Sequence, residues 1–389
     1  MSPLLTKENA IKLIVFFGVV SLFADITYEG ARSISGQYLA VLGASGAAVG
    51  FVAGFGELVG YGCRILFGYY SDQTKRYWLF TFVGYFLNLI AVPLLALAGS
   101  WPLAASLMIL ERFGKAIRTP SRDAMLSYAT QTTGRGWGFG LHEAMDQVGA
   151  ILGPLIVSVV LYFKGTYAIS FAILGIPAIC ALSLLAAARL CYPRPQDLEV
   201  EQQSLHEPSG FSKTYWIYII GLCCVAAGFV DFPLIAFHFE KSDAIPAVWI
   251  PVFFSIAMAA AGLSALFFGK LYDTQGLSIL VVTTAITCLF APLVFSDNFY
   301  LPLLGMILWG MGVGAQESIM RAAVASIVKM SKRGTAYGIL NSCFGLSWFL
   351  GSALMGILYD ISIPLLILFS VGSQLAAIPF FITAKQSSQ

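Results

Sequence analysis

The sequence predicts an all-α integral membrane protein with twelve transmembrane helices in two pseudo-symmetric six-helix bundles. Three observations predict it. Of 389 residues, 58% are hydrophobic and only 11% charged, with a mean hydropathy of +0.81, a balance foreign to soluble globular domains. Apolar runs of helix length recur along the chain, each enough to cross roughly 30 Å of hydrocarbon. The two halves also repeat one another. A net charge of +2 argues against a nucleic-acid partner. The seven cysteines lie mostly inside apolar runs and lack metal-type spacing, so they read as small buried hydrophobes. No metal and no other cofactor is expected.

Taken in order, the runs place spans at 11–41, 46–71, 78–98, 102–124, 136–163 and 167–190, then at 215–239, 247–270, 277–295, 301–325, 334–359 and 363–384. The first contains Asp25 and Glu29 and continues as a span, which argues against a cleavable leader. The fourth and fifth are the most charged: together they hold Arg112, Lys115, Arg118, Arg122, His142, Glu143 and Asp146. Ionisable groups cost roughly 2.5–3.5 kcal/mol each at a bilayer centre, so they persist where they face each other or a water-filled cavity. These two spans are therefore read as lining a polar pathway. Residues 1–190 form one bundle, 191–213 a polar cytoplasmic tether and 214–389 the second bundle. Lys and Arg crowd the loops on one side, from Lys7 through Lys75, Arg76 and Arg333 to Lys385, against only Lys164 and Lys241 opposite. That asymmetry puts both termini in the cytoplasm of a multi-pass protein of the cytoplasmic (inner) membrane.

Offsets between the halves define the repeat. A shift of 198 sets Gly114 on Gly312, Arg135 on Arg333, Gly140 on Gly338 and Gly153 on Gly351. A shift of 201 sets Gly68 and Asp72 on Gly269 and Asp273, and one of 206 sets Asp25 on Asp231. Two such halves form a central site and work by alternating access.

These residues carry a resemblance. Gly68-x-x-x-Asp72 followed by Lys75 and Arg76 is similar to the loop motif between helices 2 and 3 of the major facilitator superfamily, and Gly269-x-x-x-Asp273 is its echo without the basic residues. Gly140, Gly149, Gly153 and Pro154 resemble the helix 5 motif of that superfamily's drug:proton antiporter branch, with Val157 and Ser158 in place of its closing glycines. Arg112 fits the arginine of the branch's helix 4 motif, while the downstream glycine is displaced to Gly114. The segments RTPSRDA (118–124) and GFGLHEAMDQVGAILGP (138–154) are similar to a prokaryotic efflux-like subgroup. The resemblance implies a gating role for Gly68, Asp72, Arg76, Gly269 and Asp273, and the aspartates either cap a neighbouring helix N-terminus or pair with Arg135 or Arg333. It further implies that Asp72 and Asp273 stabilise the outward-facing state.

Asp25 and Glu29 are one helical turn apart on one face, and Asp25 lies about 21 Å from the start of its span at Ile11. Carboxyls in low dielectric hold protons readily, which suits proton coupling; a structural ion pair with Arg32 or Arg112 is the alternative. Arg112, about 16 Å into the fourth span from Trp101, is the natural partner for these acids. Lys115, Arg118 and Arg122 continue from it as a basic stripe. The stripe either attracts an anionic substrate or is neutralised by neighbours. Seven acids stand against six bases in the first-half spans, which favours neutralisation. Asp146 sits near mid-depth as a further proton-coupling acid, with His142 and Glu143 as possible relays. Close packing of the fifth span is assigned to Gly140, Gly149 and Gly153, and a bend to Pro154. The second half is apolar and aromatic, and its substrate-cavity candidates are Phe229, Asp231, Gln316, Glu317, Asn341 and Phe344, with Glu57 from the first half.

The expected function is proton-coupled export of a small organic or amphipathic compound by a secondary active transporter, an antiporter. A proton symporter or organic-anion carrier is the rival, and a non-transporting sensor or lipid-handling protein on the same fold is the reading from another class. No nucleophile–base constellation suggests an enzyme. The expected partners are the small-molecule substrate, protons and the lipid bilayer, and the chain is expected to be a monomer.

Overall fold

The structure, a computed structural model, describes residues 7–133, 135–193, 211–328 and 333–386. Among them are helices and no strand. Helices α1 (Lys7–Val41), α2 (Gly46–Thr74), α3 (Tyr77–Leu94), α4 (Trp101–Thr133) and α5 (Arg135–Tyr162) come first. The sixth span is α6 (Tyr167–Ile173) with α7 (Gly175–Cys191), and the seventh is α8 (Lys213–Gly228) with α9 (Phe232–Ser242). There follow α10 (Trp249–Gln275), the ninth span α11 (Ser278–Thr287) with α12 (Phe290–Val294), α13 (Tyr300–Ile327), α14 (Arg333–Ile361) and α15 (Ile363–Gln386). Ten of these stretches are long and apolar enough to cross a membrane. The remaining two are α4, diluted by charges from Glu111 to Asp123, and the shorter Ser278–Val294 stretch. With both included, the expected twelve are present. Residues 194–210 of the expected tether lie outside the described residues.

The chain divides into two compact units, one of Met1–Ile34 with Val59–Gln203, the other of Ser35–Leu58 with Ser204–Gln389. In the first, Phe17 stacks on Trp78 at 5.8 Å and packs with Tyr85, Leu89 and Met125. The Trp78 indole donates to the Tyr192 carbonyl at 3.0 Å, tying α3 to the end of α7. Gly149 and Gly153 of α5 face the backbone of α1 at Leu22 and Ile26 so closely that a Cβ at either position would collide. A Cβ on Gly140 would meet nothing within 4 Å. Pro154 lies inside α5 and withdraws one backbone donor.

In the second unit the Asp360 carboxylate, near the end of α14, caps the first turn of α2: Gly46 N–H donates to it at 2.9 Å and Ala47 N–H at 2.8 Å. A carboxylate there satisfies orphan donors and meets the positive end of the helix dipole. The seventh span is broken at residues 229–231. Asp231 caps α9 by accepting from Phe232 N–H at 2.8 Å, and Pro233 follows within the first turn. Carbonyls freed by such a break are tolerated in a membrane only where protein meets them. Here Trp309 donates to the Val230 carbonyl at 2.8 Å, and Ser370 and Gln374 donate to that of Gly228 at 2.6 and 3.2 Å.

The internal repeat is visible in contacts within each unit. A Cβ on Gly68 would meet Pro120 at 3.6 Å and one on Gly269 would meet Ser318 at 3.8 Å; one on Gly153 would collide with the Ile26 carbonyl and one on Gly351 with that of Ala227. These contacts align α1 with α8 at an offset of 201, so the offset of 206 that pairs Asp25 with Asp231 does not hold in space. The break at 229–231 is the reason: Asp231 starts a new helix and has no carboxylate counterpart on α1.

Candidate functional site

The charged cluster of the first unit is built from α1, α3, α4 and α5. On α1, Ser21, Asp25, Tyr28 and Glu29 recur at helical spacing, and all four are buried. The close approach of α1 to Gly149 brings α5 against this face; a Cβ on Gly149 would meet the Asp25 Cβ at 2.8 Å. Asp146, three residues before Gly149, is thereby set in electrostatic reach of Asp25.

A chain of polar contacts leads away from Asp146. Its Oδ2 lies 3.4 Å from His142 Nδ1, and His142 Nε2 lies 3.0 Å from Ser21 Oγ. With the proton on Nδ1, the ring donates to Asp146 and accepts from Ser21. Ser21 Oγ also lies 3.3 Å from Tyr85 Oη and accepts from Arg122 Nη1 at 3.2 Å. Arg122 in turn pairs with Asp123 at 2.9 Å. Such a chain can pass a proton between the α5 carboxylate and the α1–α4 interface. Glu143, the other expected relay, is exposed.

Two cations stand on tyrosine faces. Arg118 Cζ lies 4.2 Å from the Tyr85 ring centre and 5.6 Å from that of Tyr28, and Lys115 Nζ lies 4.2 Å from the Tyr28 centre. The rings supply cation–π attraction to the buried Arg118 and the half-buried Lys115. Arg112 is paired with its neighbour Glu111 at 3.3 Å, and Asn88 Nδ2 orients Glu111 by donating to Oε1 at 2.6 Å. Glu29 Oε1 lies 3.9 Å from Arg32. Buried oxygens with no hydrogen-bond partner include Asp25 Oδ1, Glu29 Oε2 and Asp146 Oδ1.

The structure thus brings Asp25, His142, Asp146 and Gly149 together. Ser21, Tyr28 and Tyr85 complete the cluster and were not singled out by sequence, although the spacing Ser21, Asp25, Tyr28 marks one helical face. Asp72 Oδ1 accepts from Tyr77 Oη at 3.1 Å, closing the turn after α2 in which Lys75 adopts φ +55°. Gly68 and Gly269 sit at equivalent helix crossings, as described above, and Arg76 is exposed. The side chains of Arg135, Asp273 and Arg333 lie outside the described residues. In the second unit Phe229 is fully buried against Phe290, Trp309 and Trp348, and Phe344 packs on Trp348 at 5.5 Å. Asp231 Oδ2 accepts from Trp348 Nε1 at 3.4 Å, so both its oxygens are engaged around the helix break. Glu57, Gln316 and Asn341 are half-buried and Glu317 is exposed. Among the described residues no group of three or more His, Cys, Asp or Glu is placed to hold a metal ion.

Comparison with known proteins agrees with this architecture. The sequence profile described as Major Facilitator Superfamily matches residues 14–352 and 276–386. The chain is similar to uncharacterized protein Rv2265 of Mycobacterium tuberculosis (strain ATCC 25618 / H37Rv), 40% identical over 376 residues that cover 95% of this chain and 92% of the relative. It is also similar to the uncharacterized MFS-type transporter MJ1317 of Methanocaldococcus jannaschii, 33% identical over 157 residues, 40% of this chain and 39% of that one. Among solved structures, the nucleoside transporter NupG superposes with a TM-score of 0.76 at 14% identity, covering 96% of this chain and 99% of its own, a likeness of fold alone.

Proposed function

The chain belongs to the Major Facilitator Superfamily, and from that premise we propose that it couples export of a small organic, amphipathic compound to inward proton movement by alternating access. By family and fold it is a multi-pass membrane transporter. The observation that carries the proton step is the pair Asp25 and Asp146: two carboxylates in electrostatic reach, each with a buried oxygen that lacks a hydrogen-bond partner. Either oxygen can take a proton without giving up a hydrogen bond, and His142 connects Asp146 to Ser21 as the path along which that proton moves. Antiport is supported by the helix 5 glycines, Gly149 and Gly153, that hold α5 against the proton-bearing face of α1. Gating is assigned to Gly68, Asp72, Arg76, Gly269 and Asp273 with Arg135 and Arg333. The protein works as a monomer in the cytoplasmic membrane with both termini inside.

The test is flux in liposomes that carry a pH gradient and an internal pH dye. Wild type is expected to accumulate substrate uphill with protons moving the opposite way; protons moving with the substrate instead establish symport. Asp25→Asn, a fixed mimic of the protonated acid, is expected to equilibrate substrate downhill and to lose pH-driven accumulation. Undiminished accumulation by this variant removes Asp25 from the mechanism and passes the role to Asp146.

A further inference from the structure

Arg118 is the most deeply buried charge among the described residues, 1% exposed, yet its Nε and Nη1 have no hydrogen-bond partner. Asp25, 5% exposed and itself with an unpartnered Oδ1, lies within electrostatic reach of both Arg118 and Lys115, as Asp146 does of Arg118. No ion pair joins these acids to either base among the described residues. Buried opposite charges normally close on each other, because a desolvated charge left unpaired is costly. Here the faces of Tyr28 and Tyr85 hold the two cations, while Asp25, one turn before Tyr28 on α1, and Asp146 on α5, packed through Gly149, supply the acids. The result is a buried cluster of opposite charges in which donors on Arg118 and acceptors on Asp25 and Asp146 lack partners.

We propose that the absent partner is the substrate, and that it is a zwitterion. Its carboxylate binds Arg118 and Lys115, and its ammonium binds Asp25 and Asp146. A purely anionic compound leaves the acids unmatched, and a purely cationic one leaves Arg118 unmatched. A zwitterion satisfies both and adds no net charge to a cluster whose acids and bases nearly balance. This inference rests on the proton-coupled reading: the ammonium takes the oxygens that otherwise hold a proton, so binding on one side releases a proton there, and rebinding of a proton on the other side releases the substrate. Glu29, Glu111, Arg112, Arg122, His142 and Glu143 lie in electrostatic reach of these groups and belong to their charge environment.

The experiment uses the purified full-length chain with three probe pools: free α-amino acids and dipeptides, the same compounds N-acetylated, and the same compounds as methyl esters. Unfolding temperature in detergent reads binding, and a pH dye in liposomes reads proton exchange. The free pool is expected to bind at least tenfold more tightly than either blocked pool. Arg118→Lys and Lys115→Gln are expected to lose the preference for the free compounds over their esters by about tenfold, while keeping the preference over N-acetyl compounds. A merely structural role would weaken all pools together. Lys115→Gln keeps the test open if the Arg118 variant does not fold. Esters binding as well as free compounds, or no binding by the free pool, overturns the inference. Proton exchange driven by esters alone sinks the zwitterion and leaves proton coupling standing. Uptake of the free compounds without proton movement does the reverse.

Discussion

At Ser21 one hydroxyl joins three helices, meeting His142 of α5, Arg122 of α4 and Tyr85 of α3 while itself 0% exposed. Ser21→Ala removes a single oxygen and leaves no sizeable cavity, so its effect isolates the polar junction. An unsatisfied buried group costs about 1–3 kcal/mol. Ser21→Ala is therefore expected to lower stability by about that much in detergent denaturation. It is also expected to slow proton-coupled flux at least tenfold while leaving downhill equilibration measurable. At this scale the sequence was partly legible. Asp25, Asp146 and His142 stand out because ionisable groups in apolar runs demand a reason. Ser21, Tyr28 and Tyr85 do not, since uncharged side chains cross hydrocarbon cheaply and their role appears only when a neighbouring helix meets them. Arg112 reads as the partner of the first-half acids, and in the structure one of them, its neighbour Glu111, lies 3.3 Å from it while Asn88 of α3 donates to the same carboxylate.

Individual helices show where hydropathy informs and where it stops. Ten stretches declare themselves by apolar length, whereas α4 is recognised only by reading its charges as inward-facing. The break at 229–231 is hidden in an unbroken apolar run, and its one local signal is Asp231 followed by Pro233, a helix-start pair. Register between helices is set by glycines whose importance varies with what they face. Gly351 abuts the Ala227 carbonyl of α8, while Gly140 faces open space. Gly351→Ala is thus expected to destabilise by about 1–3 kcal/mol through overpacking. Gly140→Ala is expected to change stability by less than about 0.5 kcal/mol, as open positions do. Equal losses in thermal unfolding would contradict the assigned contacts.

For the molecule as a whole, the repeat and the loop charges carry the architecture. Equivalent contacts in the two units, Gly68 on Pro120 and Gly269 on Ser318, show the repeat in three dimensions. The compact units nevertheless do not coincide with halves of the sequence, since Ser35–Leu58 packs with the later helices through the Asp360 cap. Hydropathy cannot foresee that exchange, because it depends on which helix ends meet. Orientation follows from charge: a reporter fused after Gln389 is expected on the cytoplasmic side and a tag between Glu240 and Asp243 on the opposite side. A cytoplasmic tag at the second position would overturn the twelve-span map.

The helix break at 229–231 also bears on the order of synthesis. The ribosome releases α8 and α9 well before Trp309, and last of all Ser370 and Gln374, the side chains that receive the Val230 and Gly228 carbonyls. Until then those carbonyls face lipid or the translocon with no protein donor, and each unsatisfied group in hydrocarbon costs several kcal/mol. The seventh span is therefore a provisional insertion that the tenth and twelfth complete. In pulse-chase labelling, a chain truncated after Ser296 is expected to be cleared by membrane proteases within minutes, while one ending at Gln386 persists. Trp309→Phe in the full-length chain is expected to lengthen the protease-sensitive interval after synthesis, since the donor to Val230 is lost together with the pyrrole part of the buried indole.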